Sequence, residues 1–264
     1  IKTNPSFTPG TNGFTIFKDG MTITDQSANS NDFTLSTGTL TKTEDCPSNI
    51  FCTMNILDNQ NQGSTFTAGN NKIEWNTNNK CNFGTMAVNS GKWYWELKFA
   101  NVTGGANAMT GVCREVSRDP SSYLGHDSHG WAYYAVNGQK YHAGSGSSYG
   151  ATWTTNDIIG VAFDADTRTL WFSKNGTWQN SATISEIAAG TTTNSMYTNF
   201  GTAGEFFFPA TSGYDGNKIE YNFGNGYFST TAVSSAGSNA SNLGIFEYDV
   251  PSGYTALCTK GLNL

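Results

Sequence analysis

The sequence predicts an all-β protein, on three observations: a turn-rich composition, one long strand of alternating polarity, and hairpins marked by Asn-Gly pairs. The 264 residues include 30 glycines and 14% aromatics but only 13% charged residues, with Ser, Thr and Asn abundant. That balance suits short strands joined by polar turns. The clearest strand is Lys92-Trp93-Tyr94-Trp95-Glu96-Leu97-Lys98-Phe99. Its period of two puts Trp93, Trp95, Leu97 and Phe99 on one face and Lys92, Glu96 and Lys98 on the other, as in a half-buried strand.

The remaining elements follow in order. Trp131 to Val136 and Gln139 to His142 read as a hairpin pivoting on Asn137-Gly138, a pair suited to positive φ at both turn positions. Ile158 to Phe163, a turn over residues 164–168, and Thr169 to Ser173 form a second hairpin, closed by Asn175-Gly176. Ile219, Tyr221 and Phe223 alternate with Glu220 and Asn222 as a late strand. A single helical turn is predicted over Ser185 to Gly190. Residues 1–45 and the Ser/Ala/Asn tract 229–242 read as connectors. No fixed-period repeat is present, which disfavours a solenoid or propeller. A chain of this length buries about 70–75% of its extended surface, enough for one large domain with appendages.

Charge and cysteine usage narrow the partners. A net charge of −6 and a pI near 5.0 oppose nucleic acid and anionic membrane surfaces. No apolar run approaches the ~18 residues of a membrane span. Cys46, Cys52, Cys81, Cys113 and Cys258 form no C-x-x-C pair and no Cys/His cluster of zinc spacing, so neither a metal nor another cofactor is expected. Their irregular spacing fits buried thiols in a reducing compartment, with a Cys46–Cys52 bridge open only in an oxidising one. The sequons at Asn101, Asn175 and Asn239 matter only in a secretory pathway. The N-terminus lacks both Met and a signal-like stretch, so the numbering is expected to begin inside a longer or processed chain.

The motifs that suggest chemistry have simpler explanations. Gly146-Ser147-Ser148-Tyr149-Gly150 matches G-x-S-x-G, but no helical pattern follows to present Ser148 as a nucleophile. Glu74, Glu96, Glu115, Glu205 and Glu220 are scattered and offer no local carboxylate pair for glycosidic chemistry. Asp164-x-Asp166 lacks the further oxygen ligands of a calcium loop. His126-Asp127-Ser128-His129 reads as an exposed polar loop, since an i, i+3 pair in extended chain points to opposite sides.

In order along the chain stand Gly91-Lys92-Trp93-Tyr94-Trp95-Glu96; Leu124-Gly125 with Gly130-Trp131; Asn156-Asp157-Ile158-Ile159-Gly160-Val161-Ala162-Phe163-Asp164 running to Phe172-Ser173-Lys174-Asn175-Gly176; Phe208-Pro209-Ala210; and Asn222-Phe223-Gly224. This succession resembles the landmarks of a SPRY domain. The resemblance implies a jelly-roll-like sandwich of two antiparallel sheets, of the concanavalin A kind, over residues 46–226. An extended N-terminal segment, 1–45, would precede it, of the kind that ends an upstream laminin-G-like domain, and a C-terminal extension, 227–264, would pack on it. It also implies a non-enzymatic module that recognises ligands through loops at one end. Tyr123, within Asp119 to Gly125, matches a recognition-loop tyrosine of peptide-binding SPRY proteins. Tyr214, beside Asp215, lies on the loop that supplies their second, apolar contact. These loops, with His126, Asp127 and His129, are the expected binding surface; an ordinary packing role stays open for either tyrosine.

The flanks carry a second resemblance. Thr11-Asn12-Gly13-Phe14, residues 25–34, residues 46–55 and Pro251 to Cys258 are similar to the surroundings of SPRY domains in bacteriophage virion proteins of tail-fibre type. This implies a virion protein, made in the host cytoplasm, that binds a host-surface receptor (protein or glycan) or other virion proteins; the sequence does not fix its oligomeric state, although such fibres are commonly trimeric. A lectin-like module, a polysaccharide depolymerase and an intracellular peptide-binding adaptor remain as alternatives.

Overall fold

The computed structural model describes residues 9–16, 23–37, 45–46, 49–58, 63–101, 105–114 and 122–263. In chain order the strands are β1 (Ser64–Thr67), β2 (Lys72–Trp75), β3 (Lys80–Phe83), β4 (Lys92–Asn101), β5 (Met109–Arg114), β6 (Gly130–Tyr134), β7 (Gln139–His142) and β8 (Ser145–Ser148). Then come β9 (Ile158–Asp164), β10 (Thr169–Lys174), β11 (Thr177–Trp178), β12 (Phe207–Gly213), β13 (Lys218–Asn222), β14 (Tyr227–Phe228), β15 (Thr231–Ala232) and β16 (Thr255–Ala256). Among the described residues there is one α-helix, α1 (Ile184–Ala189); Thr183 and Glu186 cap its N-terminus reciprocally, and Gly190 at φ 75° ends it. No described helix is long and apolar enough to cross a membrane.

Two sheets make the sandwich. The first has the order β1-β2-β13-β4-β9-β10-β11, with β16 also on β4; the second has the order β3-β12-β5-β6-β7-β8. Every pair in this sandwich is antiparallel except β16 on β4. Cross-strand register lines up the inward side chains: Trp93 faces Phe163, Trp95 faces Val161 and Leu97 faces Ile159. Aromatic contacts then bridge the sheets, Phe163 to Phe207 at 5.6 Å and Phe172 to Tyr133 at 5.3 Å between ring centroids. The Trp93/Trp95/Leu97/Phe99 face is fully inside, as the alternation predicts.

Two expectations are corrected. The β6–β7 hairpin does not turn on two residues of positive φ: Ala135 to Asn137 form the turn, and only Gly138 (φ 68°) is left-handed, its N–H donating to Tyr134 O at 3.0 Å. A type I turn followed by a left-handed glycine produces this outcome, and Gly138 is required because an added Cβ would meet Gly150 O at 2.0 Å. The second correction concerns β4, which is not half-buried. Its other face is also covered, with Tyr94 and Glu96 at 0% exposure.

The cover is the segment 245–258. Phe246 packs edge-on against Tyr94, ring centroids 4.9 Å apart, and β16 runs parallel to β4, pairing Thr255 with Trp93 and Ala256 with Tyr94. It fills the flank of β4 that β13 leaves empty, since β13 pairs only from Glu96 onward. Residues 50–52 hold this segment in turn: Cys52 N–H donates to Leu257 O and Thr259 N–H to Ile50 O, each at 2.9 Å. Glu96 is therefore not the isolated surface carboxylate that the strand pattern suggests. Its Oε1 accepts from Tyr94 OH (3.0 Å) and Tyr248 N–H (2.9 Å), and its Oε2 from Glu247 N–H (2.8 Å) and Asn222 Nδ2 (3.4 Å).

Candidate functional site

The outer face of the second sheet is only partly covered. Strand alternation sends Tyr133 inward against Trp153 and Phe172, leaving Ala132 and Tyr134 on the outer side. The loop 122–129 folds over this face. Its Leu124 joins a small cluster with Cys81, Phe83, Met109, Cys113 and Ala210, and Leu124 N–H donates to Ser212 Oγ at 3.0 Å. The β7–β8 turn ties the loop down, Ala143 N–H to Asp127 O and Gly144 N–H to Gly125 O, both 2.9 Å. Gly125 (φ 85°) allows that approach, because a Cβ there would lie 2.8 Å from Tyr141 O.

Beyond Leu124 the cover ends at a pocket of about 240 Å³ to which Tyr123, Tyr134, Tyr141 and Tyr214 all contribute, with Asn107 and Met109 beneath them. Tyr123 and Tyr214 thus converge although about ninety residues separate them in sequence, and both are half-buried rather than sealed. The rings form an edge-on chain, Tyr123 to Tyr141 at 6.4 Å and Tyr141 to Tyr134 at 5.5 Å. Tyr134 OH donates to Asn107 Oδ1 at 2.6 Å. Burial raises the Tyr134 phenol above its ordinary pKa, and the neighbouring Tyr141 and Tyr123 add to that, so it remains a neutral hydroxyl. Among the described residues no charged side chain lines the pocket. It offers aromatic faces, amides and hydroxyls, suited to an apolar or aromatic group carrying a few hydrogen-bonding atoms.

The other expected residues, His126, Asp127, His129 and Asp215, are not among those that line this pocket. His126 is exposed, with its ring 5.2 Å edge-on from Tyr123. Asp127 and His129 form a staple within the loop: Asp127 Oδ1 accepts from His129 N–H, and its Oδ2 lies 2.8 Å from His129 Nδ1. Asp215 is exposed, its N–H donating to Asn78 Oδ1 at 3.1 Å. Residues 119–121, the first half of the Tyr123 loop, lie outside the described residues, as does Glu115. Sequence reasoning misses Tyr134, Tyr141 and Asn107. The signal for the two tyrosines is the hairpin register that sets Ala132 opposite Tyr141, since it puts Tyr134 and Tyr141 on one face; nothing in the sequence marks Asn107.

Elsewhere, Ser148 ends the exposed edge strand β8 with no helix after it. Asp164 and Asp166 serve the β9–β10 turn, Asp164 Oδ1 accepting Thr167 N–H and Asp166 Oδ1 accepting Gly91 N–H. No disulfide joins the described cysteines; Cys46 is exposed and the other four are buried. Among the described residues no three His, Cys, Asp or Glu side chains gather as metal ligands.

The SPRY domain family model matches residues 92–226, half of the chain. Among solved structures, the chain is similar to the SPRY domain of human HERC1, at 20% identity over 61% of this chain and 92% of that one, with a TM-score of 0.47. A second human SPRY domain matches at 15% identity over 61% of this chain and 94% of that one, with a TM-score of 0.46.

Proposed function

The chain belongs to the SPRY family, whose domains are generally non-catalytic protein-binding modules, and from that premise we propose that it captures a protein partner in the tyrosine-lined pocket on the outer face of its second sheet. One observation carries this reading: Tyr123 and Tyr214, on loops distant in sequence, line a single cavity with Tyr134 and Tyr141. Tyrosines hold large, rigid contact area at low entropic cost, and they anchor interfaces for that reason. The exposed His126 and Asp215, beside Tyr123 and Tyr214, supply polar contacts around an apolar centre.

The setting we propose is a virion, with the domain on a tail fibre or similar appendage, trimeric, and facing a host-surface receptor or a neighbouring virion protein. The similarity of residues 11–14, 25–34, 46–55 and 251–258 to the flanks of phage SPRY domains supports it. Detection of the chain by mass spectrometry in purified particles of its source tests the setting; its absence from them rejects it.

The binding reading has a separate test. A displayed random-peptide library is selected on the wild-type protein and on the Tyr123→Ala/Tyr214→Ala variant. Peptides enriched on the wild type should bind the variant about ten- to a hundredfold more weakly, equivalent to about 1–3 kcal/mol. No enrichment, or equal enrichment on both proteins, would overturn the assignment of this pocket.

A further inference from the structure

We propose that the seam between the sandwich and its C-terminal segment is a second ligand site, and that it takes a neutral, hydroxyl-rich ligand of the sugar type. The seam holds a cavity of about 600 Å³, inside the range of roughly 300–1,000 Å³ usual for small-ligand sites. One wall is the stretch 87–93 leading into β4; the other is built from residues 240–241, 253–255 and 261–262. The second wall lies wholly outside the stretch 92–226 that the family model matches. The cavity therefore depends on the C-terminal residues 240–262, which lie beyond the matched stretch.

Its position separates it from the tyrosine pocket. Phe206, at its mouth, immediately precedes β12, and Tyr214 immediately follows it. The seven-residue strand between them places the two about 25 Å apart, at opposite ends of the strand.

The chemistry of the lining selects the ligand. Phe206 is 41% exposed and Leu262 46% exposed, so the mouth presents an aromatic and an aliphatic surface against which the C–H face of a sugar ring can pack. Around them stand Asn89, Ser90 and Asp166, all exposed. Asp166 is fixed as an acceptor by the Gly91 N–H at 2.9 Å. Tyr254 and Thr255 also form part of the wall, with their hydroxyls sealed behind it rather than open to the cavity. Desolvating Asn89, Ser90 and Asp166 beneath an apolar ligand would cost them their water without offering hydrogen bonds in return.

Charge excludes the acidic ligands. Lys92 Nζ lies 3.7 Å from Asp164 and 5.7 Å over the Tyr254 ring, so its charge is already matched. With Asp166 added, the local balance is negative, and a carboxylate, phosphate or acidic sugar would be repelled. A neutral ligand bearing many hydroxyls satisfies the polar lining without that penalty.

The test uses the full chain with methyl hexosides and neutral disaccharides, read by saturation-transfer NMR and calorimetry, with sialyllactose and glucuronate as acidic counterparts. A neutral sugar should bind, and the acidic ones should not. Phe206→Ala should weaken binding about tenfold, and Ala240→Trp, which fills the cleft from its far wall, should abolish it. Both positions are exposed, so an unchanged melting temperature is expected and confirms that the fold survives. Tyr123→Ala should leave sugar binding intact, which separates this site from the peptide pocket. Absence of neutral-sugar binding, preference for the acidic sugars, or sensitivity to Tyr123→Ala but not to Phe206→Ala would overturn the proposal.

Discussion

The two sheets of the sandwich turn very different outer faces to their surroundings. On the first, residues 245–258 lie across β4 and exclude water from Tyr94 and Glu96. On the second, the loop 122–129 covers part of the face and stops, leaving four tyrosines around a pocket. The same rule of alternation governs both strands, yet it describes only the second correctly. Polar residues at alternate positions mark the outside of a sheet, not the outside of the molecule. What decides exposure is a segment that pairs from far along the chain, and the sealed face can hold a carboxylate only because backbone N–H groups of that segment meet it.

If this contrast is right, the largest effects of substitution lie on the sealed face. Phe246 is buried against Tyr94, and Phe246→Ala should destabilise by about 3–5 kcal/mol, measured by chemical denaturation. A change below about 1 kcal/mol would mean that the segment is a loose cover rather than part of the core.

Next in size is the pH response of Glu96. Burial pushes its pKa from 4.5 up to about 7, against the lowering effect of the Glu247 and Tyr248 N–H groups and Tyr94 OH; the nearby Glu247 charge adds to the rise. The groups around it are Tyr94 on its own strand, Asn222 from β13, and Glu247 and Tyr248 from the covering segment, with no cation among its hydrogen-bond partners. Because the folded pKa lies above the unfolded one, the native state binds the extra proton between pH 4.5 and 7. Stability then falls as pH rises through that window, by up to about 3 kcal/mol, and levels off above it. Glu96→Gln should flatten this slope. It should also lower stability at all pH, since an amide N–H₂ would replace an acceptor facing donors. Parallel wild-type and variant profiles between pH 4.5 and 7 would contradict the account.

On the open face the effects should be smaller. Tyr134→Phe removes the 2.6 Å hydrogen bond to Asn107 and should cost about 1 kcal/mol of stability. Smallest of all, Lys98→Ala on β4 should change stability by less than about 0.5 kcal/mol, because Lys98 lies past Glu96 on the same face and stays part-exposed. A large effect there would show that the cover extends further than residues 245–258.

The sandwich itself was legible in the sequence wherever local pattern and local turn chemistry agreed. Asn175 and Gly176, at φ 48° and 80°, form the turn that their pairing predicts, and the β9–β10 hairpin pairs in one register from Asp164 with Thr169 to Ile159 with Lys174. The convergence of Tyr123 and Tyr214 came from family resemblance, because no local signal relates loops some ninety residues apart. Three features stayed hidden. The Asn137-Gly138 turn is displaced because the first strand stops at Tyr134, and Tyr141 entered the pocket through hairpin register rather than through any motif of its own. Glu96 looked like a solvent-facing charge because the groups that bury it, Glu247 and Tyr248, are about 150 residues away.

The parallel pairing of β16 with β4 also orders events in time. Thr255 stands about 160 positions after its partner Trp93, so during synthesis β4 is made with one flank and its outer face open, and neither can close until almost all of these 264 residues have emerged. Pairings of such long sequence separation form slowly, and an unpaired strand edge beside exposed aromatics invites intermolecular association while it waits. While that face is still wet, the Glu96 carboxylate is solvated, and a charge on an exposed strand discourages another strand from adding to it. When its own C-terminal segment arrives, the Glu247 and Tyr248 N–H groups meet both oxygens, and the carboxyl passes out of water.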